Sequence, residues 1–277
     1  MDYLLFRLYG PLASWGEIAV GESRHTAVYP GKSALLGLLA ASLGIRRNEE
    51  QKHQALADGY RFAVKVLSTG QLLRDYHTTQ VPDSTFRGVF RTRRDEILIG
   101  KSQPDHFGTI LSSREYRCDA LSLVAVKPLD QAPYTLAMLA EHLREPRFHL
   151  YLGRKSCPLA APLNPCIRSG DSFMQVLDGY SFGALYLSGR TMQQVKNELS
   201  GGRCHGRLTE KSGVVAFFSK EDERWLSAGR EPVRYYWEGD DADLKPQQVL
   251  TRHDQPLSRS RWQFVQRPEN LYIKEKQ

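Results

Sequence analysis

Disulfide and zinc chemistry are the first things this sequence lacks material for. Its 277 residues include four cysteines, Cys118, Cys157, Cys166 and Cys204, and no two form a Cys-x-x-Cys pair. Cys204-His205 has no second cysteine or histidine at ligand spacing, so no metal site is expected. Small buried thiols in a reducing, cytoplasmic setting fit this usage. Long apolar runs are missing too. The most apolar stretch, Ala34 to Ile45, has twelve residues, against the roughly 20 that cross a bilayer, so no membrane is expected. Met1 to Arg7 carries neither a basic lead before an apolar core nor a small-residue cleavage site, and does not read as a secretory signal. There is no internal repeat, no low-complexity tract, no paired-carboxylate motif and no nucleophile elbow. No motif asks for a cofactor.

Apolar residues make up 41% of the chain and charged residues 25%, enough for a sizeable core in one large domain or two smaller ones. The formal net charge of +7 is unevenly placed. Glu221 to Asp243 holds eight acids and three bases, while the rest holds 35 bases against 23 acids. A basic body with one acidic segment suits a polyanionic partner and a separate surface that avoids it.

Alternation over residues 3–9, with Leu4, Phe6 and Leu8 on one side, predicts an opening strand ended by Gly10-Pro11. A loop containing Trp15, Gly16, Gly21 and Arg24 leads to Pro30-Gly31-Lys32-Ser33. An apolar helix follows over Ala34–Leu43, closed by Gly44 and apolar nearly all round, hence buried between layers. A polar helix is expected at 49–58. Tyr60 to Leu67 reads as a strand, with Gln71 to Thr78 as its partner. Residues 80–112 read as an extended hairpin or mobile loop projecting from the domain. A strand over Arg117–Val126, a helix from Pro133 with Leu136, Leu139, Ala140 and Leu143 on one face, and a short aromatic strand at Phe148–Leu152 complete the first part. This order is compatible with the ferredoxin-like split βαβ pattern. Beyond Pro165 the signals weaken to short strands at Val214–Phe218, Val233–Trp237 and Gln247–Arg252, and then a basic, aromatic tail.

Gly31-Lys32-Ser33 before a helix looks like the end of a phosphate-binding loop, but the glycine required five residues earlier is Thr26, so the ATP cradle is absent. What remains is a helix N-terminus with Lys32 and Ser33 beside it, a place for a phosphate, including one in a nucleic-acid backbone. Arg87, Arg91, Arg93 and Arg94 surround Phe86 and Phe90, and Ser84 to Arg94 contains no acid. Arginine forks grip phosphates and aromatic rings stack on bases, so this cluster points to RNA or DNA. Gly153-Arg154-Lys155-Ser156 places two cations and a hydroxyl on a tight turn, within a stretch from Arg144 to Arg168 of five bases and one acid. His25, Tyr76 and His77 are the acid/base candidates near basic residues. With Lys32 they could supply metal-independent RNA cleavage, although nothing in their spacing requires it.

Several ordered segments resemble the CasD family, the Cas-five subunits of type I-E CRISPR Cascade. They are Leu8-Tyr9-Gly10-Pro11-Leu12-Ala13-Ser14-Trp15-Gly16, Arg24-His25-Thr26, Pro30 to Leu39, Arg74-Asp75-Tyr76-His77-Thr78, Arg114 to Ala120 and Tyr151 to Leu159. Arg252-His253-Asp254-Gln255-Pro256 with Gln263-Phe264 and Arg267 adds a further match near the end. The resemblance implies an α+β fold: a ferredoxin-like, RRM-like (RAMP) domain over 1–165 with a protruding thumb hairpin at about 78–112, then a smaller β-rich C-terminal region over 166–277. It implies a non-catalytic subunit that holds the 5′ handle of the CRISPR RNA, beside a CasC-type backbone subunit and a CasA-type large subunit, with target DNA engaged only through the complex. The alternative it carries is the endoribonuclease of type I-C relatives, with His25, Tyr76, His77 and Lys32 as catalytic residues. The candidate RNA contacts are Trp15, Arg24, His25, Lys32, Ser33, Arg74, His77, Phe86, Arg87, Phe90, Arg91, Arg93, Arg94, Arg154, Lys155 and Ser156. The stretch 166–249 is longer than the family pattern leads one to expect.

Overall fold

The computed structural model describes residues 1–19, 21–180, 184–186, 214–216 and 232–275. In chain order, β1 (Asp2–Tyr9) is followed by four two-residue strands, β2 (Leu12–Ala13), β3 (Trp15–Gly16), β4 (Ser23–Arg24) and β5 (Thr26–Ala27). Next come α1 (Lys32–Leu43), α2 (Glu50–Gly59), β6 (Tyr60–Ser68), β7 (Gln71–Pro82), α3 (Arg93–Ser102), β8 (Phe107–Cys118), β9 (Leu121–Pro128), α4 (Leu136–Arg144), β10 (Cys166–Ser169) and α5 (Phe173–Asp178). The chain ends with β11 (Ala184–Tyr186), β12 (Val214–Ala216), β13 (Val233–Trp237), β14 (Gln248–Ser258) and β15 (Gln263–Lys274).

One antiparallel sheet organises these elements in the order β10-β1-β9-β6-β13-β15-β14. Its first four strands, numbered among themselves, run 4-1-3-2, the ferredoxin-like arrangement expected from the sequence. β1 reads as an almost unbroken apolar run because both its faces are covered. Leu4, Phe6 and Leu8 pack on α1 and α4, with Leu35, Leu39, Leu139 and Leu143. Tyr3 and Leu5 face α5, with Phe173, Val176 and Leu177. Arg7 is fully buried and gives its Nε–H to the Pro162 carbonyl at 2.9 Å. α1 lies between layers as its composition predicts, and Gly44 closes it in the left-handed region at φ 78°. No helix among the described residues is long and apolar enough to cross a membrane.

Four expectations are corrected. β7 does not pair with β6; it pairs along its whole length with β8, while β6 lies between β9 and β13. Gly70 causes this. At φ 68° it turns the chain out of the sheet, and a Cβ there would lie 2.3 Å from the Cys118 carbonyl. The strand expected over Arg117–Val126 is two strands, split at Asp119, which adopts φ 56°. Phe148–Leu152 forms no strand, only one bridge between Tyr151 and Pro158. The segment after β7 contains a helix, α3, begun by a capping box in which the Thr92 side chain takes the Asp95 amide and Asp95 takes the Thr92 amide.

The C-terminal strands β13, β15 and β14 extend the same sheet beyond β6. Of the acidic segment, Glu238, Asp241 and Asp243 are turned to internal use. Glu238 pairs with Lys32, and Asp241 and Asp243 bond the first turn of α5 through Phe173 N–H and the Ser172 hydroxyl. Residues 217–231 and Cys204 lie outside the described residues.

Candidate nucleic-acid interface

The loop between β1 and α1 is fastened to β8. Leu12–Ala13 pairs antiparallel with Cys118–Arg117, Ser23–Arg24 runs parallel to Ser113–Arg114, and Trp15–Gly16 pairs with Ala27–Thr26. Glu115 is the centre of this knot. Its side chain is 8% exposed. Oε1 accepts from Arg74 Nη2 at 2.8 Å and Nε at 3.2 Å and lies 3.3 Å from His25 Nδ1, while Oε2 accepts the Thr26 amide at 3.3 Å. Burial raises the Glu115 pKa, but the bonds from Arg74, Thr26 and His25 outweigh it and hold the carboxyl below its usual range. A depressed carboxylate stabilises the fold fully above its unfolded pKa of about 4.3 and loses that contribution as pH falls through the lower folded value. Acid below about pH 4 should therefore loosen this loop. Glu115→Gln should cost about 1.5–3 kcal/mol in urea unfolding at pH 7, the range for hydrogen bonds to a charged group, and the cost should shrink in acid.

The Arg154 turn docks on the same knot. Ser14 N–H bonds the Leu152 carbonyl at 3.0 Å, and Leu152 N–H and Cys157 O close the turn at 2.8 Å. Arg154 Cζ stands 5.1 Å from the centre of the Tyr116 ring, and its Nη2 is 3.4 Å from the Arg24 carbonyl. Gly153 permits the approach. It adopts φ 85°, and a Cβ would lie 1.9 Å from the Ser14 carbonyl. Gly153→Ala should destabilise the protein by at least about 2 kcal/mol, combining left-handed strain with a backbone clash, and should lower its melting temperature.

Three separated stretches thus bring His25, Arg74 and Arg154 around Glu115 and Tyr116, with Arg24 beside His25 and its guanidinium on the Gly21 and Ser23 carbonyls. Lys155 and Ser156 are exposed on the same turn. Arg117 Nε and Arg154 Nη1 are buried donors with no hydrogen-bond partner among the described residues. Two other candidates go elsewhere. Trp15 is 5% exposed and belongs to the apolar core. Lys32 is buried, with its ammonium 3.0 Å from Glu238 Oε1. The anion place at the start of α1 is already filled, because Lys32 N–H donates to Asp254 Oδ2 at 2.6 Å. Gly31 is required by that carboxylate, which would lie 2.3 Å from an added Cβ. Ser33 is half-buried in the same first turn. The phosphate-loop likeness is thus an internal cap supplied by β14.

Asp254 belongs to a buried ionic network that sequence reasoning missed. Arg267 forks onto Asp254 at 2.6 and 3.0 Å, reaches Glu269 Oε1 at 2.6 Å and lies 3.4 Å from Glu238. Tyr29 donates to Glu269, and Arg252 lies over the Tyr29 ring. No apolar alternation marks these residues in the sequence: Asp254 lies between His253 and Gln255, and Arg267 between Gln266 and Pro268.

The remaining candidate cations project. β7 and β8 form a hairpin of roughly 40 Å at 3.4 Å per residue, with α3 near its end. Phe86 and Phe90 stack at 5.0 Å and both meet Phe107, forming a small apolar centre at the tip. Arg87, Arg91 and Arg94 are exposed there, and Arg93 pairs with Glu96 at 2.5 Å. Along β7 the tip lies about 27 Å from Arg74.

Two of the four acid/base candidates meet and two do not: Tyr76 hydrogen-bonds Arg74, which shares Glu115 Oε1 with His25, while Lys32 and His77 lie apart. His25 is bound to Glu115, and Lys32 is buried against Glu238. Strand alternation puts Tyr76 on the Arg74 face of β7 and His77 on the other, where His77 Nε2 lies 2.5 Å from Asp75 Oδ2. Among the described residues no group of three or more His, Cys, Asp or Glu could hold a metal ion.

Residues 3–268 match the family described as "CRISPR-associated protein (Cas_Cas5)". The chain belongs to this family. Over 172 residues, 58% of this chain and 69% of the relative, it is 38% identical to "CRISPR system Cascade subunit CasD" of Escherichia coli (strain K12). A solved structure titled "CRISPR RNA-guided surveillance complex" aligns at TM-score 0.57 and 23% identity, over 99% of this chain and 90% of that one. A second, "Crystal structure of Cas protein", aligns at TM-score 0.51 and 23% identity, over 99% and 95%. The mixed α/β, largely antiparallel architecture is thus that of this Cas family, and the match takes in the Glu115 knot, the long hairpin and the Arg154 turn.

Proposed function

We propose that this chain is a subunit of a type I-E CRISPR surveillance complex and holds the 5′ handle of the guide RNA without cutting it. The observation that carries this reading is the convergence of His25, Arg74 and Arg154 on the surface around Glu115 and Tyr116, with Arg24 beside His25. The exposed portions of these cations, with Arg74 48% and His25 56% exposed, suit phosphate oxygens. The hairpin then acts as a thumb, its tip arginines and Phe86 and Phe90 meeting the strand beyond the handle and marking where pairing with target DNA begins. A CasC-type backbone subunit and a CasA-type large subunit are the protein neighbours, and the site of action is the cytoplasm. Kinship with a Cascade subunit supports the assignment.

Lys32 is buried against Glu238 and His77 is paired with Asp75 on the other face of β7, and the His25 that lies near Tyr76 and Arg74 is itself held by Glu115; this supports binding over cleavage, because a general base, an acid and a cation must reach one phosphate together. Incubating the pure protein with end-labelled repeat RNA in EDTA tests this. The RNA should be bound and stay intact. Specific cleavage, lost in His77→Ala, would overturn the non-catalytic reading.

A further inference from the structure

The turn joining β14 to β15 carries a second basic-aromatic group that the knot around Glu115 does not use. Trp262 sits there at φ 59°, a backbone region that L-residues adopt at a cost, and it is 59% exposed. Phe264 packs edge-on against it at 5.6 Å. The guanidinium carbons of Arg47 and Arg259 lie 4.9 and 5.3 Å from the indole centre, and Arg261 is exposed next in sequence. Glu50 of α2 holds the turn, accepting from the Ser258 and Ser260 hydroxyls and from the Arg259 and Ser260 amides. These bonds, led by the Ser260 hydroxyl, keep Glu50 ionised down to about pH 2. That carboxylate organises the backbone; it is not ion-paired with the arginines. Among the described residues no acid pairs with Arg47, Arg259 or Arg261. Burial, and then the like charge of Arg47, press on the charged form of Arg259, opposed by smaller pulls from Tyr151 and Glu50. Two cations are held against one exposed ring, and neither is directly ion-paired with an acid among the described residues.

We propose that Trp262 with Arg47 and Arg261 is a platform for a single-stranded nucleic acid, one unpaired base stacking on the indole while neighbouring phosphates meet the guanidinium groups. An exposed indole beside arginines that no acid directly pairs with matches the two chemical parts of such a strand, a π-face and a regular negative charge. The platform shares no residue with the group around Glu115: Arg259 lies over Gly37 of α1 and Arg47 follows the end of that helix.

The test titrates the full chain into end-labelled oligouridylate and, separately, oligodeoxythymidylate, reading affinity by fluorescence anisotropy in every variant and tryptophan quenching by the unlabelled oligomers in chains that keep Trp262. Stacking should quench the tryptophan signal. Trp262→Ala should weaken binding of at least one oligomer by about five- to a hundredfold, while Trp262→Phe, which keeps a π-face, should retain most of it. Arg47→Ala with Arg261→Ala should reduce the slope of log affinity against log salt by about 1.4. The oligomer with the larger loss identifies the strand as RNA or DNA. The quench should persist in a chain lacking Arg24, Arg74 and Arg154, so a failure here is distinguishable from failure of the handle-binding reading. Wild-type affinity of Trp262→Ala for both oligomers, or a Phe variant as weak as the Ala variant, would overturn the proposal and leave a protein partner as the occupant.

Discussion

Arg267→Ala should destabilise the protein by about 3–5 kcal/mol, the range for breaking a buried ion pair from one side. Arg267 is 7% exposed, and its loss strips from Asp254 the guanidinium fork and from Glu269 a cation at 2.6 Å. Lys32 still faces Glu238, and Arg252 remains 3.8 Å from Glu269, so the charge left uncompensated is concentrated on Asp254. Asp254 is also the cap of α1, so the damage passes from the β14–β15 edge to the helix under the core. For a chain of this size each kcal/mol shifts the melting temperature by roughly 2–4 °C, giving a fall of roughly 6–20 °C by calorimetry. Arg267→Lys should recover only part of it, because an ammonium cannot make the fork. The gap to the wild type should narrow below about pH 4, where an unpaired carboxylate takes up a proton. A loss under about 1 kcal/mol would mean the network does not clamp this edge.

Removing Arg24, Arg74 and Arg154 together by alanine substitution should reduce affinity for handle RNA by about a hundredfold at 0.1 M salt. Each phosphate contact with a single strand contributes about 0.7 to the slope of log affinity against log salt, so three contacts account for about 2 in the slope. The defect should widen at lower salt and vanish towards 1 M. Replacing Arg87, Arg91 and Arg94 instead should change the slope by a similar amount only if the strand reaches the hairpin tip. Titrations of both variants across salt concentrations, by fluorescence anisotropy, separate base from tip.

The sequence made the framework legible where periodicity and punctuation agree. Leu4, Phe6 and Leu8 alternate, Ala34–Leu43 is apolar between Pro30 and Gly44, and Leu136, Leu139, Ala140 and Leu143 keep helical spacing; each element stands where expected. α3 escaped notice because none of its residues is buried. An isolated helix on a hairpin tip has no apolar stripe to reveal it, and its one signature is the Thr92–Asp95 cap. The pairing of β7 with β8 was hidden for a related reason. Both strands are largely exposed beyond their bases, and two-sided polar strands carry no pattern that fixes a partner. At the candidate site, the cations were identified by type and their grouping depended on partners far away in sequence. Glu115 gathers His25 and Arg74, whereas Asp254 and Glu238 draw Lys32 inward. A lysine after Gly31 looks the same in sequence whether its anion is a phosphate or the protein's own carboxylate.

Crosslinking mapped by mass spectrometry, using guide RNA with photoreactive nucleotides along its 5′ handle, tests the central claim most directly. Peptides containing Arg24–His25, Arg74–His77 and Gly153–Ser156 should all be labelled by the handle, and labelling should fall in the triple alanine variant. Handle crosslinks that miss these three peptides, or that persist unchanged in the variant, would contradict the account.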